Sequence, residues 1–431
     1  MQLSIEKLVY GGDGLARLPA DEHGRGKAVF LPFVLQGETV EATLLENKSG
    51  FARARTEEIL NPSAHRVQPL CPYFGRCGGC HYQHADYRHQ LEIKAAVVTE
   101  NLRRIAKVEL ETELVVHPSP EWSYRNRTRL KVQTGPAFAL GYYRHSSHEL
   151  LSVEHCPISS PLINRSIAAL WELGRAGKLV DDIREIEFFA DAEDAQLLLQ
   201  IYCNSQTTKE VAEKTAKDLR AGLPQTIGVS VLRTAANQED LSDAHVISSA
   251  GLTDLLYKTQ SLSYRVSSGA FFQVNRYLVD ELTQIVTANH SGNFALDLYA
   301  GVGLFSAALA RSFAQVVAVE SSPTAFADLT YNSASNVKAV HATTDQFLRR
   351  TGKLQPDLVV VDPPRGGLGG MVVRSLAGLE AAQITYVSCD PATLSRDLAG
   401  LLAAGYHIRQ AHVVDLFPQT YHVESVLHLA R

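Results

Sequence analysis

The chain of 431 residues carries only six cysteines, no surplus of positive charge and no apolar run long enough to cross a membrane. Each shortage excludes something. So few cysteines in so long a chain do not make a secreted disulfide scaffold, so reduced, functional thiols are expected. The start, "MQLSIEKLVYGG", has no basic segment followed by an apolar one, so no signal peptide is expected. The longest apolar candidate, "FALDLYAGVGLFSAALA", is interrupted by Asp297 and two glycines, so no membrane span is expected. A cytoplasmic location follows, and no obligate protein partner is evident. The net charge of −5, from 41 basic and 46 acidic residues, argues against a protein that only coats nucleic acid. Internal repeats and low-complexity tracts are also missing.

What is present divides into three parts. Residues 1–60 alternate apolar and polar positions between glycine turns at Gly11-Gly12, Gly37 and Ser49-Gly50, which predicts a small five-stranded β-barrel of oligonucleotide-binding type. Residues 65–255 mix strands such as "EIEFFA" and "AQLLLQIYC" with helices such as "LINRSIAALWELGRAG", an α+β pattern; residues 89–109 also read as helical. Residues 256–431 alternate strand and helix and predict a doubly wound α/β sheet of Rossmann type, closed by two strands around a loop. Such a sheet binds its ligand at the carboxyl ends of its strands.

That rim collects the candidate chemistry. "LDLYAGVGLFS" puts Asp297, Gly301 and Gly303 at a strand-to-helix turn, where glycine lets the backbone pass close to a ligand. Position 306 is Ser, where a dinucleotide enzyme would often have a third glycine. Glu320 ends the next strand, where a carboxylate can hold ribose hydroxyls; a dinucleotide and S-adenosylmethionine both remain open here. "VVVDPPRGGL" gives Asp362 a rigid strand end, which is either a plain turn or a binding group. Cys389 in "YVSCDPATLSRDL" is either a packing residue or a nucleophile, and the Asp-Pro that follows forces a turn at the thiol. Glu424, in "DLFPQTYHVESVLHL", is either a solvent-facing strand residue or a proton acceptor for that thiol's substrate.

Two further features lie upstream. Arg125, Arg127, Arg129 and Lys131 alternate along one stretch, which would put them on one strand face, either solvated or available to RNA. Cys71, Cys77 and Cys80 follow the spacing C-x5-C-x2-C, and Cys156 adds a fourth thiol downstream. Gly78 and Gly79 let the chain wrap a ligand, and either zinc or an iron–sulfur centre would suit the four. Cys203 reads as core.

"FFQVN", "DLYAGVG", "VDPPRGG", "SCDPATLSRDL" and "FPQTYHVE" together resemble the RNA uracil-5-methyltransferase family, over nearly the whole chain. The first sixty residues resemble its TRAM domain, an RNA-binding barrel. The resemblance implies S-adenosylmethionine as methyl donor, Cys389 as nucleophile on uracil carbon 6 and Glu424 as acceptor of the carbon 5 proton. It implies Gln273, Tyr299, Glu320 and Asp362 as cofactor ligands, and a 4Fe-4S cluster on Cys71, Cys77, Cys80 and Cys156, as some members carry. The layout is similar to the ribosomal branch, which implies a uridine in 23S rRNA, with a tRNA T-loop uridine as the alternative. Leu304 and Thr343 depart from the family pattern: some relatives carry a polar residue at the first, and an acid or amide near adenine is common at the second. Competing readings are an amino-methylating enzyme, whose motif usually has an aromatic where Arg365 stands, and a non-catalytic RNA-binding iron–sulfur protein.

Overall fold

The alternation over residues 2–61 folds as one six-stranded sheet in the computed structural model, which describes residues 1–19, 26–135, 137–223, 225–234, 244–350 and 354–431. The count is six because the first strand bends. Gln2–Ser4 pairs with Thr39–Glu41 at one sheet edge, and Lys7–Leu8 pairs with Gly14–Leu15 at the other. Two edges joined by a bend of two residues close the sheet on itself, which removes free edges. The interior holds Leu3, Val29, Leu31 and Val40 with the small Ala16, Ala42, Ala52 and Ala54.

The central sheet has seven strands, from Leu150–Ser152 at one edge to His245–Gly251 at the other. Helices Pro161–Arg175 and Lys209–Gly222 start where their sequences provide caps, at Ser160 followed by Pro161 and at Thr208. Their apolar stripes (Leu162, Ile163, Ile167, Leu170; Ala212, Ala216, Leu219) bury against Ile186, Phe188, Leu199 and Ile201, and Cys203 lies in this core. The basic row does not face solvent freely. Strand Arg127–Gln133 lies beside Ile183–Ala190, with Arg129 opposite Glu187 and Lys131 opposite Glu185. The Arg129 guanidinium bonds the Glu187 carboxylate at 2.5 Å, and Lys131 pairs with Glu185. Arg125 precedes the strand and leaves the row, its Nε donating to the Arg127 carbonyl at 3.0 Å.

The last sheet has eight strands. Seven come from residues 256–431: β1 (Gly292–Leu298), β2 (Phe313–Glu320), β3 (Val337–His341), β4 (Leu358–Val361), β5 (Gln383–Ser388), β6 (His407–Val414) and β7 (Glu424–Ala430). Their order is β3-β2-β1-β4-β5-β7-β6. The first five run parallel, and β7 runs antiparallel between β5 and β6. Strands β4 and β5 are almost wholly buried because helices cover both faces, and they read as apolar runs, "LVVV" and "QITYVS".

The eighth strand, Leu114–His117, comes from the stretch before residue 256 and pairs in parallel with β6. The helix Tyr87–Asn101 and the π-turn Leu102–Ala106 come from the same stretch, and their Val98 and Leu102 are buried in the core of this sheet. Among the described residues, no helix is long and apolar enough to cross a membrane.

Candidate active site

The strand ends of β1, β2, β4, β5 and β7 meet at one rim. After β1 the chain turns sharply: Tyr299, Gly301 and Gly303 all take positive φ (66°, 57° and 93°). Glycine is required at 303 for a second reason, because a Cβ there would lie 2.9 Å from Leu329 Cδ1. Glu320, ending β2, accepts from the backbone amides of Gly301 (2.8 Å), Ser321 (2.8 Å) and Ser322 (2.6 Å). A carboxylate saturated in this way is fixed in direction beside the glycine turn. Asp297 is fully buried beneath it; one of its oxygens accepts from the Ser306 hydroxyl and the other has no hydrogen-bond partner. Burial pushes the Asp297 carboxyl up to about 6, opposed by the Ser306 bonds.

Asp362 follows β4 directly, and its carboxyl sits recessed at the rim although the residue as a whole is half-buried. Burial first, then the neighbouring Asp297 carboxylate, pushes it up to about 7. Cys389 follows β5. Asp390 then caps the helix Pro391–Ala403 by accepting from the amides of Ala392 (3.0 Å) and Thr393 (2.8 Å). The antiparallel register that sets Ser388 opposite Ser425 brings Glu424 beside Cys389. Burial, then the Glu424 and Asp362 carboxylates, push the Cys389 thiol up to about 12, while the Arg365 guanidinium pulls it down. Glu424 is itself buried, and burial followed by repulsion from Asp362 holds its carboxyl well above the usual range.

The expected cofactor positions thus divide. Glu320 and Tyr299 flank the glycine turn, and Asp362 faces the thiol. Gln273 is buried, with Asn126 Nδ2 donating to its carbonyl at 3.1 Å, and Asn275, two residues on, donates to the Leu416 carbonyl at 3.2 Å, which ties this segment to the loop before Glu424. Thr343 has a local role, its hydroxyl accepting from the Gln346 amide at 3.2 Å at the start of helix Thr344–Arg350. Leu304 is buried in the core. Asp362, Glu424 and Arg365 have no side-chain hydrogen bond or ion pair among the described residues, so the rim holds unneutralised acids and one free guanidinium.

Cys71, Cys77, Cys80 and Cys156 lie close enough for their charges to act on one another. Burial first, and then the neighbouring thiols, push Cys77 up to about 11; Cys80 rises further for the same reasons. The backbone amides of Tyr73, Phe74 and Gly79 and the Gln83 side chain act in the opposite sense, and the Cys71 amide donates to the Gln83 side-chain oxygen at 3.1 Å. Among the described residues, His65, His89 and Glu92 form the group whose ligand atoms all fall within 4.8 Å of one another; no three cysteine sulfurs meet that limit.

A family model described as tRNA (uracil-5-)-methyltransferase matches residues 86–431, and a TRAM-domain model matches residues 1–56. The chain belongs to the tRNA (uracil-5-)-methyltransferase family. It is an S-adenosylmethionine-dependent RNA uracil-5-methyltransferase. A 23S rRNA (uracil(1939)-C(5))-methyltransferase, RlmD, of Azoarcus sp. is 34% identical over 98% of both chains. An uncharacterized RNA methyltransferase of Aquifex aeolicus is 32% identical over 99% of this chain and 97% of its own. The crystal structure of Pyrococcus abyssi tRNA (uracil-54, C5)-methyltransferase with S-adenosyl-L-homocysteine superposes over all of both chains with a TM-score of 0.78 at 23% identity, a likeness of fold.

In this uracil-5-methyltransferase the loop from Asp415 to Glu424 needs support that sequence reasoning missed. Lys94, wholly buried, bonds Asp415 Oδ1 at 2.6 Å and the Phe417 carbonyl at 2.9 Å. Tyr87 donates to Asp415 Oδ2 at 3.0 Å, Gln90 makes two bonds to Gln419, and Tyr124 donates to the Pro418 carbonyl at 3.0 Å. A signal was available: Gln90 and Lys94 are polar positions four apart on the buried face of "YRHQLEIKAAVV", which is unusual unless each has a partner.

Proposed function

We propose that this enzyme methylates one uridine of 23S rRNA through a covalent Cys389 adduct. The observation that carries the reading is the meeting of Cys389, Glu424 and Asp362 at adjacent strand ends, where both carboxylates raise the thiol and Asp362 raises Glu424. Three groups that repel one another's charge are costly unless a cation joins them. S-adenosylmethionine brings two, a sulfonium and an α-ammonium, and supplies the methyl group. Gln273, Tyr299, Glu320 and Asp362 would hold it.

With the cofactor's positive charge in the site, the repulsion that keeps Cys389 protonated would be offset, and the thiol would release its proton to solvent before it attacks. The sulfur then bonds to carbon 6 of the flipped uracil, and the carbon 5–carbon 6 electron pair moves into the enolate. Carbon 5 takes the methyl group as the methyl–sulfonium bond breaks. Glu424 accepts the carbon 5 proton, the double bond re-forms, and the thiolate leaves.

Cys71, Cys77, Cys80 and Cys156 fit a 4Fe-4S cluster. Amides aimed at sulfur stabilise thiolates at such centres. When bound, the cluster would cross-link a loop that lacks regular secondary structure.

The ribosomal substrate rests on the RlmD relative, matched end to end, together with the barrel and the four cysteines. The test is methylation of a 23S rRNA fragment and a tRNA transcript side by side; methylation of the tRNA alone would overturn the ribosomal reading.

A further inference from the structure

The N-terminal barrel touches the nucleophile. Tyr10, at the tip of the barrel's first turn, donates its hydroxyl to the carbonyl of Cys389 at 3.1 Å, across 379 positions of sequence. Its ring packs edge-on against Tyr421 of the catalytic loop, with centroids 5.5 Å apart. The turn is closed by a bond from the Gly12 amide to the Val9 carbonyl at 3.1 Å, and Gly11 and Gly12 both take positive φ. Gly12 lies so close to His81 that a Cβ there would meet His81 Cβ at 3.1 Å. The His81 ring packs on Tyr421 with centroids 4.6 Å apart, and its amide donates to the Gln419 carbonyl at 2.9 Å. The barrel turn, the segment after Cys80 and the loop leading to Glu424 therefore form one three-way contact.

We infer that Tyr10 is a positioning residue for Cys389, and that the barrel is part of the catalytic assembly as well as an RNA-binding module. The inference rests on the reading of Cys389 as nucleophile. The carbonyl of Cys389 lies between the last strand residue, Ser388, and the helix cap, Asp390, where no sheet partner fixes it. Pinning that oxygen fixes the ψ angle of Cys389, and with it the setting of the nucleophile against its acceptor strand. A shift of about 1 Å in such a group can cost large factors in rate. The hydroxyl remains a neutral donor because burial, and then the Asp390 carboxylate, hold its proton on.

Tyr10→Phe keeps the ring against Tyr421 and removes the hydrogen bond. The experiment measures single-turnover formation of the protein–RNA adduct on a 23S rRNA fragment carrying 5-fluorouridine, with kcat, KM, RNA affinity and thermal midpoint measured alongside. The expected result is adduct formation and kcat slowed roughly three- to tenfold, the worth of one hydrogen bond, with KM and RNA affinity within about twofold. Gly12→Ala, which displaces the turn without touching Tyr10, should give the same split. An unchanged adduct rate in Tyr10→Phe, or a loss confined to KM and RNA affinity, would overturn the inference. Failure of the wild-type enzyme to form any adduct would instead remove the nucleophile reading, and this inference with it.

Discussion

Apart from Cys203 in the central core, the molecule holds thiols in two places, and the charges around them differ. Around Cys71, Cys77 and Cys80 the neighbouring thiols raise proton affinity, while backbone amides and Gln83 lower it and, among the described residues, no carboxylate acts on them. Around Cys389 the carboxylates of Glu424 and Asp362 raise the thiol, opposed by Arg365 and by the residue's own backbone amide. Burial raises the proton affinity of both sets. The first environment is ready to stabilise permanent thiolates on a metal. The second keeps its thiol protonated until a cation arrives, which suits a nucleophile that must be quiet between turnovers. Residue type alone does not separate the two roles; the sign of the neighbouring charges does.

The largest effect expected from breaking this contrast is at Cys389. Cys389→Ala should lower turnover by at least about 10⁴-fold and abolish the adduct, with iron content unchanged by elemental analysis. Glu424→Gln should lower turnover by roughly 10²- to 10⁴-fold while the adduct accumulates on ordinary RNA, because proton removal follows methyl transfer. Mass spectrometry of the stalled mixture checks this, and an adduct that fails to form would assign Glu424 to an earlier step. Lys94→Met leaves the buried Asp415 without its counter-charge, with only the Tyr87 hydroxyl still bonded to its carboxylate, and should cost about 3–5 kcal/mol in denaturant unfolding. Cys77→Ser should release the iron and lower the thermal midpoint, while the Cys389 adduct still forms in the protein that remains folded.

The smallest effect is on pH and stability. Asp362 and Glu424 have folded-state proton affinities raised above the unfolded values. The folded state therefore binds more protons, and their contribution is present in full at acid pH and lost as pH rises, for Asp362 through about 7. Asp362→Asn should raise the thermal midpoint by about 2 °C or more at pH 8 and have little effect at pH 4. A variant less stable than wild type at pH 8 would mean that the rim carboxylates are compensated in the empty enzyme.

The sequence made much of this legible, for physical reasons. β1, β2, β4 and β5 are largely apolar runs with a glycine or proline turn close behind, and a buried parallel strand has little choice but to look so, whereas the half-exposed β3, "VKAVH", gave no such signal. Cys389 was readable because Asp390 and Pro391 are a helix cap and first turn, which fixes a strand end at residue 388. The strand Leu114–His117 was not assignable, because four half-buried residues do not say which sheet they will join. The basic row alternated as expected, but strand periodicity could not reveal that Glu185 and Glu187 would lie opposite. The Tyr10 contact was invisible for the same reason: it joins residues 379 apart, and nothing local requires it.

The account rests on covalent attack by Cys389, and one measurement tests it most directly. The purified enzyme is mixed with S-adenosylmethionine and 5-fluorouridine-substituted RNA, as a 23S rRNA fragment and as a tRNA transcript, and examined by mass spectrometry. Fluorine cannot be removed as a proton, so the complex should stall as a methylated adduct, with the RNA mapped by peptide analysis to Cys389 and found on the ribosomal fragment. Binding of RNA and cofactor with no adduct on either RNA would contradict the mechanism.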